Sequence, residues 1–364
     1  NADPCKGLED INQRLEKLGE ETPNPREFLD SHPGLEEYLR WYSLRKPEES
    51  LNEEIKEAHG SALSGLGHCA LDRGELNNAM NYYGRAADID RELGHWDNYL
   101  FNRRRAISAM ALGGEGLDRV VGEFEGLWGE TLQEMEPTAP YLEEAAFVLG
   151  GYLVLLALMG RRGGVEKLLE ERGLLLDEYM DRLSNVATRL ALKYLGMNVK
   201  VPSGEEVLET VREHVRPELR PALEEILGKP VEDASEKCAK SVNSKLCVNA
   251  YAAVKGDKET GESVRQSIAD VLGKKGVSPE LLDRADTRQL IEVYAPASSK
   301  PQFILLLRAL VSGDRDLAQL HAEVGRVGFS GFIGRFFGEL SNALRGGDEG
   351  GVRRAVAKLY YLHF

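Results

Sequence analysis

Cysteine is scarce in this chain: there are four in 364 residues, at positions 5, 69, 238 and 247. That number and scatter argue against a disulfide framework or a zinc ribbon, both of which need tight, repeated spacing. Cys69 falls inside a helical pattern and reads as a small buried hydrophobe. Cys238 and Cys247 would bridge if a turn or two neighbouring helices brought them together, a question the sequence leaves open. Histidine is equally thin, with seven residues at 32, 59, 68, 95, 214, 321 and 363 that never cluster. No His-Glu-x-x-His, Walker loop or Gly-x-Ser-x-Gly occurs, so no catalytic residue, metal or cofactor is expected. Basic charge is in deficit as well: the net charge of -14 argues against nucleic acid as a partner, since that affinity rests on Lys and Arg neutralising phosphates. Long apolar runs are missing too. The longest, Ala145–Met159, is shorter than the ~20 residues a membrane-spanning helix needs, and is expected to be a buried helix of a soluble protein. Runs of β-branched or alternating residues are also rare.

What is present is helical. Leu, Glu, Arg, Ala and Gly dominate, and a hydrophobic content of 42% suffices for a large core. Proline stands where a first helical turn accepts it, in Asn24-Pro25, Lys46-Pro47, Thr138-Ala139-Pro140 and Ser278-Pro279. Ser203-Gly-Glu-Glu206 has the form of a capping box. Glycine stops follow at Arg73-Gly74, Gly113-Gly114, Arg162-Gly163-Gly164, Gly256-Asp257 and Gly346-Gly347. The spacing predicts about a dozen or more helices joined by short turns. Val201-Pro202 is the expected boundary, giving N-terminal helices over 1–59, helical repeats over 60–200 and a C-terminal helical region over 201–364. The chain opens Asn-Ala-Asp without methionine, which reads as residues left by cloning and leaves room for a removed signal or anchor upstream. A cytoplasmic location is otherwise expected.

"GLGHCALDRGELNNAMNYYGRAADIDRELG", residues 65–94, poses the central choice. As chemistry, Gly65-Leu-Gly67-His68-Cys69 suggests a phosphate loop or half a metal site. A dinucleotide loop needs a strand before it, however, and the preceding "LNEEIKEAHGSALS" is helical in pattern. Gly273-Lys-Lys-Gly276 resembles an RNA-clamping loop but lacks neighbouring strands, and a helix end followed by Ser278-Pro279 explains it better. As architecture, Leu66, Gly67, Ala70, Gly74, Leu76, Ala79, Tyr82, Tyr83, Ala86 and Ile89 fall on one pattern, with small residues where two antiparallel helices cross.

This pattern resembles the tetratricopeptide repeat family, with Leu63, Ala70 and Arg91 standing where that family often has Trp, Tyr and Pro. A second copy places Ala106-Ile107 at the crossing, Gly113-Gly114 at the turn, and Leu117, Val120, Phe124 and Leu127 on the second helix. The step from Ala79 to Val120 exceeds the ~34 residues of the commonest repeat and fits longer variants. A third hairpin over 140–175 turns at Gly160–Gly164, and the C-terminal end again reads as helix, Gly-Gly turn, helix.

The resemblance implies an all-α fold of stacked antiparallel hairpins, an α-α superhelix clear over about 60–130. It further implies a non-catalytic interaction or scaffold module that holds a peptide or partner helix in a concave groove. Groove-facing positions fall on Ser61, Ser64, His68 and Asp72 in the first repeat and on Arg104 and Ser108 in the second. The run Asn102-Arg103-Arg104-Arg105 spreads over most of a helix circumference, so at least one arginine should face inward to meet an anion or carboxylate. These residues do not reproduce the Lys/Asn arrangement by which some family members clamp a terminal carboxylate. The alternative is a helical sensor or regulatory domain that binds a small ligand or joins a larger assembly. Ala79 occupies the tightest predicted crossing, so Ala79→Arg should lower stability by roughly 3 kcal/mol or more in thermal unfolding, whereas His68→Ala should be mild. A neutral Ala79→Arg would remove the repeat reading of 60–91.

Overall fold

The structure, a computed structural model, describes residues 3–21, 34, 51–229 and 231–364. The proline starts at Asn24-Pro25 and Lys46-Pro47 lie outside the described residues. Among the described residues the protein is all-α, with twenty α-helices, two short 3-10 turns and no strand beyond one isolated bridge, Val215 to Pro296. The chain divides into two compact units, residues 1–152 with 174–179, and residues 153–173 with 180–364. The division falls within one helix, and Val201-Pro202 lies inside the second unit.

Unit 1 contains α1 (Pro4–Glu21), α2 (Leu51–Asp72), α3 (Leu76–Leu93), α4 (Trp96–Leu112), α5 (Leu117–Gln133), most of α6 (Ala139–Leu158) and, from later in the chain, α8 (Leu174–Glu178). Successive helices from α2 to α5 pack on one another through short turns. Helix α3 is the middle layer: Ala79, Tyr83, Ala86 and Ala87 are fully buried, so alanine supplies the close approach and tyrosine the filling volume. The expected glycine ends hold at Gly74 and Gly114. Gly94, at the end of α3, turns left-handed (φ 70°), which lets its N–H and that of His95 reach the carbonyls of Arg91 and Asp90. Leu117, expected on the packed face of α5, is exposed, whereas Val120, Phe124 and Leu127 are buried as expected.

Unit 2 contains the end of α6, then α7 (Arg162–Arg172), α9 (Arg182–Tyr194), α10 (Gly204–Val211), α11 (Arg220–Ile226) and α12 (Ala234–Ala239). It continues with α13 (Ser244–Lys255), α14 (Lys258–Lys275), α15 (Pro279–Arg284), α16 (Thr287–Tyr294), α17 (Ser299–Val311), α18 (Arg315–Gly328), α19 (Gly331–Arg345) and α20 (Glu349–His363). The capping box at Ser203 and Glu206 forms as expected, and Gly276 (φ 105°) ends α14 just before α15 begins at Pro279. The stop before α7 is Gly160; Gly163 and Gly164 lie inside the helix's first turn.

Many helix ends in unit 2 are closed by arginine. Arg353 donates to the carbonyls of Leu195, Ala157 and Leu158, at the ends of α9 and α6. Arg265 donates to Ala285, Leu282 and Asp283 at the end of α15. Cationic donors at C-terminal carbonyls satisfy orphan acceptors and complement the negative end of the helix dipole.

Helix α6 runs for 20 residues, longer than the apolar run within it, and by length and composition is able to cross a membrane. Two thirds of its most apolar window, 67%, is buried among protein neighbours.

The cysteines require a correction. Cys69 is not a free hydrophobe: it bonds Cys5 (S–S 2.05 Å) and ties α1 to α2. Cys238 bonds Cys247 (S–S 2.07 Å) and ties α12 to α13. The pairs are separate staples, and the first joins residues too far apart in sequence for spacing to reveal. Loop-closure entropy makes the longer loop worth more, about 4 kcal/mol for Cys5–Cys69 against about 2.6 kcal/mol for Cys238–Cys247. Cys5→Ser should therefore lower hydrogen-exchange protection in unit 1 by more than Cys238→Ser lowers it in unit 2. Equal losses would contradict the entropic account.

Candidate functional site

The site begins with a bare Cα. Gly67 on α2 faces the ring of Tyr83 on α3, and a Cβ there would stand 2.8 Å from the ring's Cε1. Without that side chain the tyrosine lies flat against α2, and its hydroxyl reaches His68 Nδ1 at 2.7 Å. Residues 65–70 lie inside α2, toward its C-terminal end, so the glycines are a packing surface and not a phosphate loop.

Arginine sets the direction of the hydrogen bond. Arg105 on α4 hydrogen-bonds the Tyr83 hydroxyl, and a guanidinium can only donate. The tyrosine proton is therefore free to point at His68 Nδ1, which leaves Nε2–H as the remaining donor of the imidazole, on an exposed residue. Burial, followed by the charge of Arg105, holds the His68 pKa below the usual histidine value, so the ring is neutral at neutral pH. Burial likewise raises the Tyr83 phenol.

Arg104 sits beside this pair and between two aromatic rings. Its guanidinium carbon is 5.5 Å from the centroid of Phe101 and 4.9 Å from that of Phe147 on α6. Its carboxylate neighbour is Glu144, one turn earlier on α6, at 3.6 Å. Burial pushes the Glu144 carboxyl up, and the Arg104 charge offsets this only in part. Both arginines are buried, at 5% and 8% exposure, so they act within a low-dielectric environment that strengthens their field.

The eight residues singled out from sequence do not all share this place. His68, Arg104 and Arg105 converge, and exposed Asp72 acts on His68 through its charge. Ser64 is half-buried on α2, and Ser108 is buried within α4. Asn102 belongs elsewhere: it is buried and donates to Asp90 on α3 at 2.7 Å. Arg103 turns to Glu123 on α5 at 3.0 Å. The three arginines thus radiate as helical geometry requires, each toward a different neighbour. Sequence reasoning missed Tyr83 as a polar partner, and it missed Phe101, Glu144 and Phe147. In the sequence, Glu144 is marked only by its place in the acidic pair Glu143-Glu144 immediately before the apolar run.

The arrangement suits binding of an anionic or hydrogen-bond-accepting group. Its components are two guanidinium groups, a neutral imidazole donor and aromatic walls, drawn from α2, α4 and α6. A histidine–carboxylate pair in unit 2 is fully enclosed: His321 bonds Glu292 at 3.3 Å and Gln302 at 2.7 Å, with His321 and Gln302 at 0% and 1% exposure. It reads as a satisfied internal network. Among the described residues no three His, Cys, Asp or Glu side chains gather as a metal site.

No protein-family model, curated protein or solved structure matches this chain.

The depressed His68 pKa has a sign. In the unfolded chain the ring takes its proton near pH 6.5, while the folded site resists it, so stability is lost as pH falls below about 6.5. His59, also held low mainly by burial, adds to the same loss. His68→Gln should flatten the fall in melting temperature between about pH 6.5 and 5. An unchanged slope would overturn the assignment.

Proposed function

We propose that unit 1 is a tetratricopeptide-like interaction module and that the face formed by α2, α4 and α6 takes up a partner segment carrying a carboxylate. In this reading α2, α4 and α6 are the first helices of successive hairpins, and α3 and α5 are the second helices that back them. The observation that carries it is the convergence of His68 from α2, Arg104 and Arg105 with Phe101 from α4, and Glu144 with Phe147, both against Arg104, from α6.

A carboxylate suits the donors. Guanidinium offers a planar fork that bonds carboxylates bidentately, and His68 Nε2–H adds a neutral donor at the exposed rim. Burial already disfavours the ionised form of the resident Glu144. An incoming carboxylate takes up the same positive field while its own chain stays in solvent, which makes Glu144 a stand-in that a partner displaces. The mode of action is recognition by fixed side chains on a rigid helical scaffold.

Fluorescence anisotropy with a labelled acidic peptide pool, and a matched pool in which Glu and Asp are replaced by Gln and Asn, tests this. The wild-type protein should prefer the acidic pool by about tenfold or more, and the preference should shrink as salt rises. Arg104→Met combined with Arg105→Lys should abolish the preference, whereas Arg103→Met should leave it intact. Equal binding of both pools by the wild type would remove the proposal.

A further inference from the structure

A serine and a histidine outside unit 1 stand in the geometry of a nucleophile and its base. Ser299 is the first residue of α17, and its Oγ lies 2.8 Å from Nε2 of His363 near the end of α20. His363 Nδ1 lies 2.8 Å from the carbonyl oxygen of Leu359, one turn earlier on the same helix. A carbonyl can only accept, so Nδ1 carries the ring proton and Nε2 presents its lone pair. Ser299 Oγ–H is therefore the donor, and the imidazole is held in the tautomer that removes a proton from the hydroxyl.

The surroundings hold the ring in that orientation. Phe303 stacks on the His363 ring at 5.7 Å with an interplanar angle of 15°, and Phe337 meets it edge-on at 6.5 Å. Both Ser299 and His363 remain partly exposed, so the pair is within reach of a solute. Ser298, in extended backbone before α17, makes no side-chain capping bond to the first turn. The N–H groups of Ser299 and Lys300 precede Pro301, which has none, and they sit at the positive end of the helix dipole.

We propose that Ser299 is a nucleophile activated by His363 for attack on carboxylic esters. In the first step Oγ bonds the ester carbonyl carbon while its proton passes to Nε2. The carbonyl π pair moves onto oxygen, and the start of α17 faces the charge that develops there. Collapse of this adduct breaks the bond to the alcohol oxygen, which leaves with the proton from Nε2. Water then attacks the acyl-Ser299 carbonyl in the same way, gives its proton to Nε2, and releases the carboxylic acid as Ser299 recovers its hydrogen.

Two features narrow the substrate. Nδ1 is oriented by a neutral carbonyl, which stabilises an imidazolium less than a carboxylate would, so esters with good leaving groups are favoured over amides. Phe364, 6.2 Å from the His363 ring and with Lys300 Nζ 5.3 Å from its own ring, supplies an apolar wall for the acyl part. This activity is separate from recognition in unit 1, and neither depends on the other.

The test is covalent labelling of the full chain by a fluorophosphonate probe, with the modified residue mapped by mass spectrometry. Folded wild type should be labelled at Ser299, and heat-denatured wild type should not. His363→Gln should slow labelling about a hundredfold or more. Ser299→Ala should lose it, together with hydrolysis of p-nitrophenyl butyrate above the buffer rate. The mapping on wild type stands even if a variant fails to fold. Absence of label at Ser299 in the folded protein, or an unchanged rate in a folded His363→Gln, would show that the pair is a fixed structural contact and overturn the proposal.

Discussion

Unit 1 depends on the contact between a ring and a residue without a side chain. Tyr83 lies on Gly67, and that single close approach sets the distance between α2 and α3. The same contact delivers a phenol hydroxyl to His68 and gives Arg105 something to bind. A methyl group at Gly67 would force the ring away, and the hydroxyl, the imidazole tautomer and the Arg105 position would shift with it. Packing and chemistry are inseparable here because one residue serves both. Unit 2 repeats the device at Gly325 on α18, where an added Cβ would overlap the ring of Phe337 on α19.

A chain cut into twenty α-helices among its described residues carries many helix ends, and each leaves carbonyl groups without helical partners. Left-handed glycines close some of them through their own backbone. In unit 2 arginine side chains close others, with Arg353 and Arg265 each accepting the task for several carbonyls. Arg216, Arg288 and Arg326 make the same kind of bond, to the carbonyls of Tyr294, Val254 and Gly276.

The two functional readings differ in what supports each. Recognition in unit 1 rests on charge held in a buried environment, where the Arg104 guanidinium meets one carboxyl whose ionised form burial disfavours and Arg105 stands at Tyr83 and His68. Nucleophilic chemistry in unit 2 rests on hydrogen-bond direction, which the Leu359 carbonyl dictates without any appeal to charge. Neither motif appears as a signature in the linear chain. Ser299 and His363 stand 64 residues apart, and Arg105 and Tyr83 stand 22 apart.

Local pattern was enough for the all-α class, most helix ends, the capping box at Ser203, the buried face of α3 and the divergence of the three arginines. Those properties follow from propensity, capping chemistry and the period of the helix, which act within a few residues of one another. The bond from Cys5 to Cys69, the place of Asn102 against Asp90, the entry of Glu144 and Phe147 into the site, and the meeting of Ser299 with His363 all needed separate helices to meet. Pairings of that kind depend on which faces pack and how closely, and a one-dimensional pattern carries that information only where a glycine or alanine marks the crossing. Gly67 was such a mark: its spacing announced the close approach, and only the packed helices showed that a tyrosine hydroxyl comes with it.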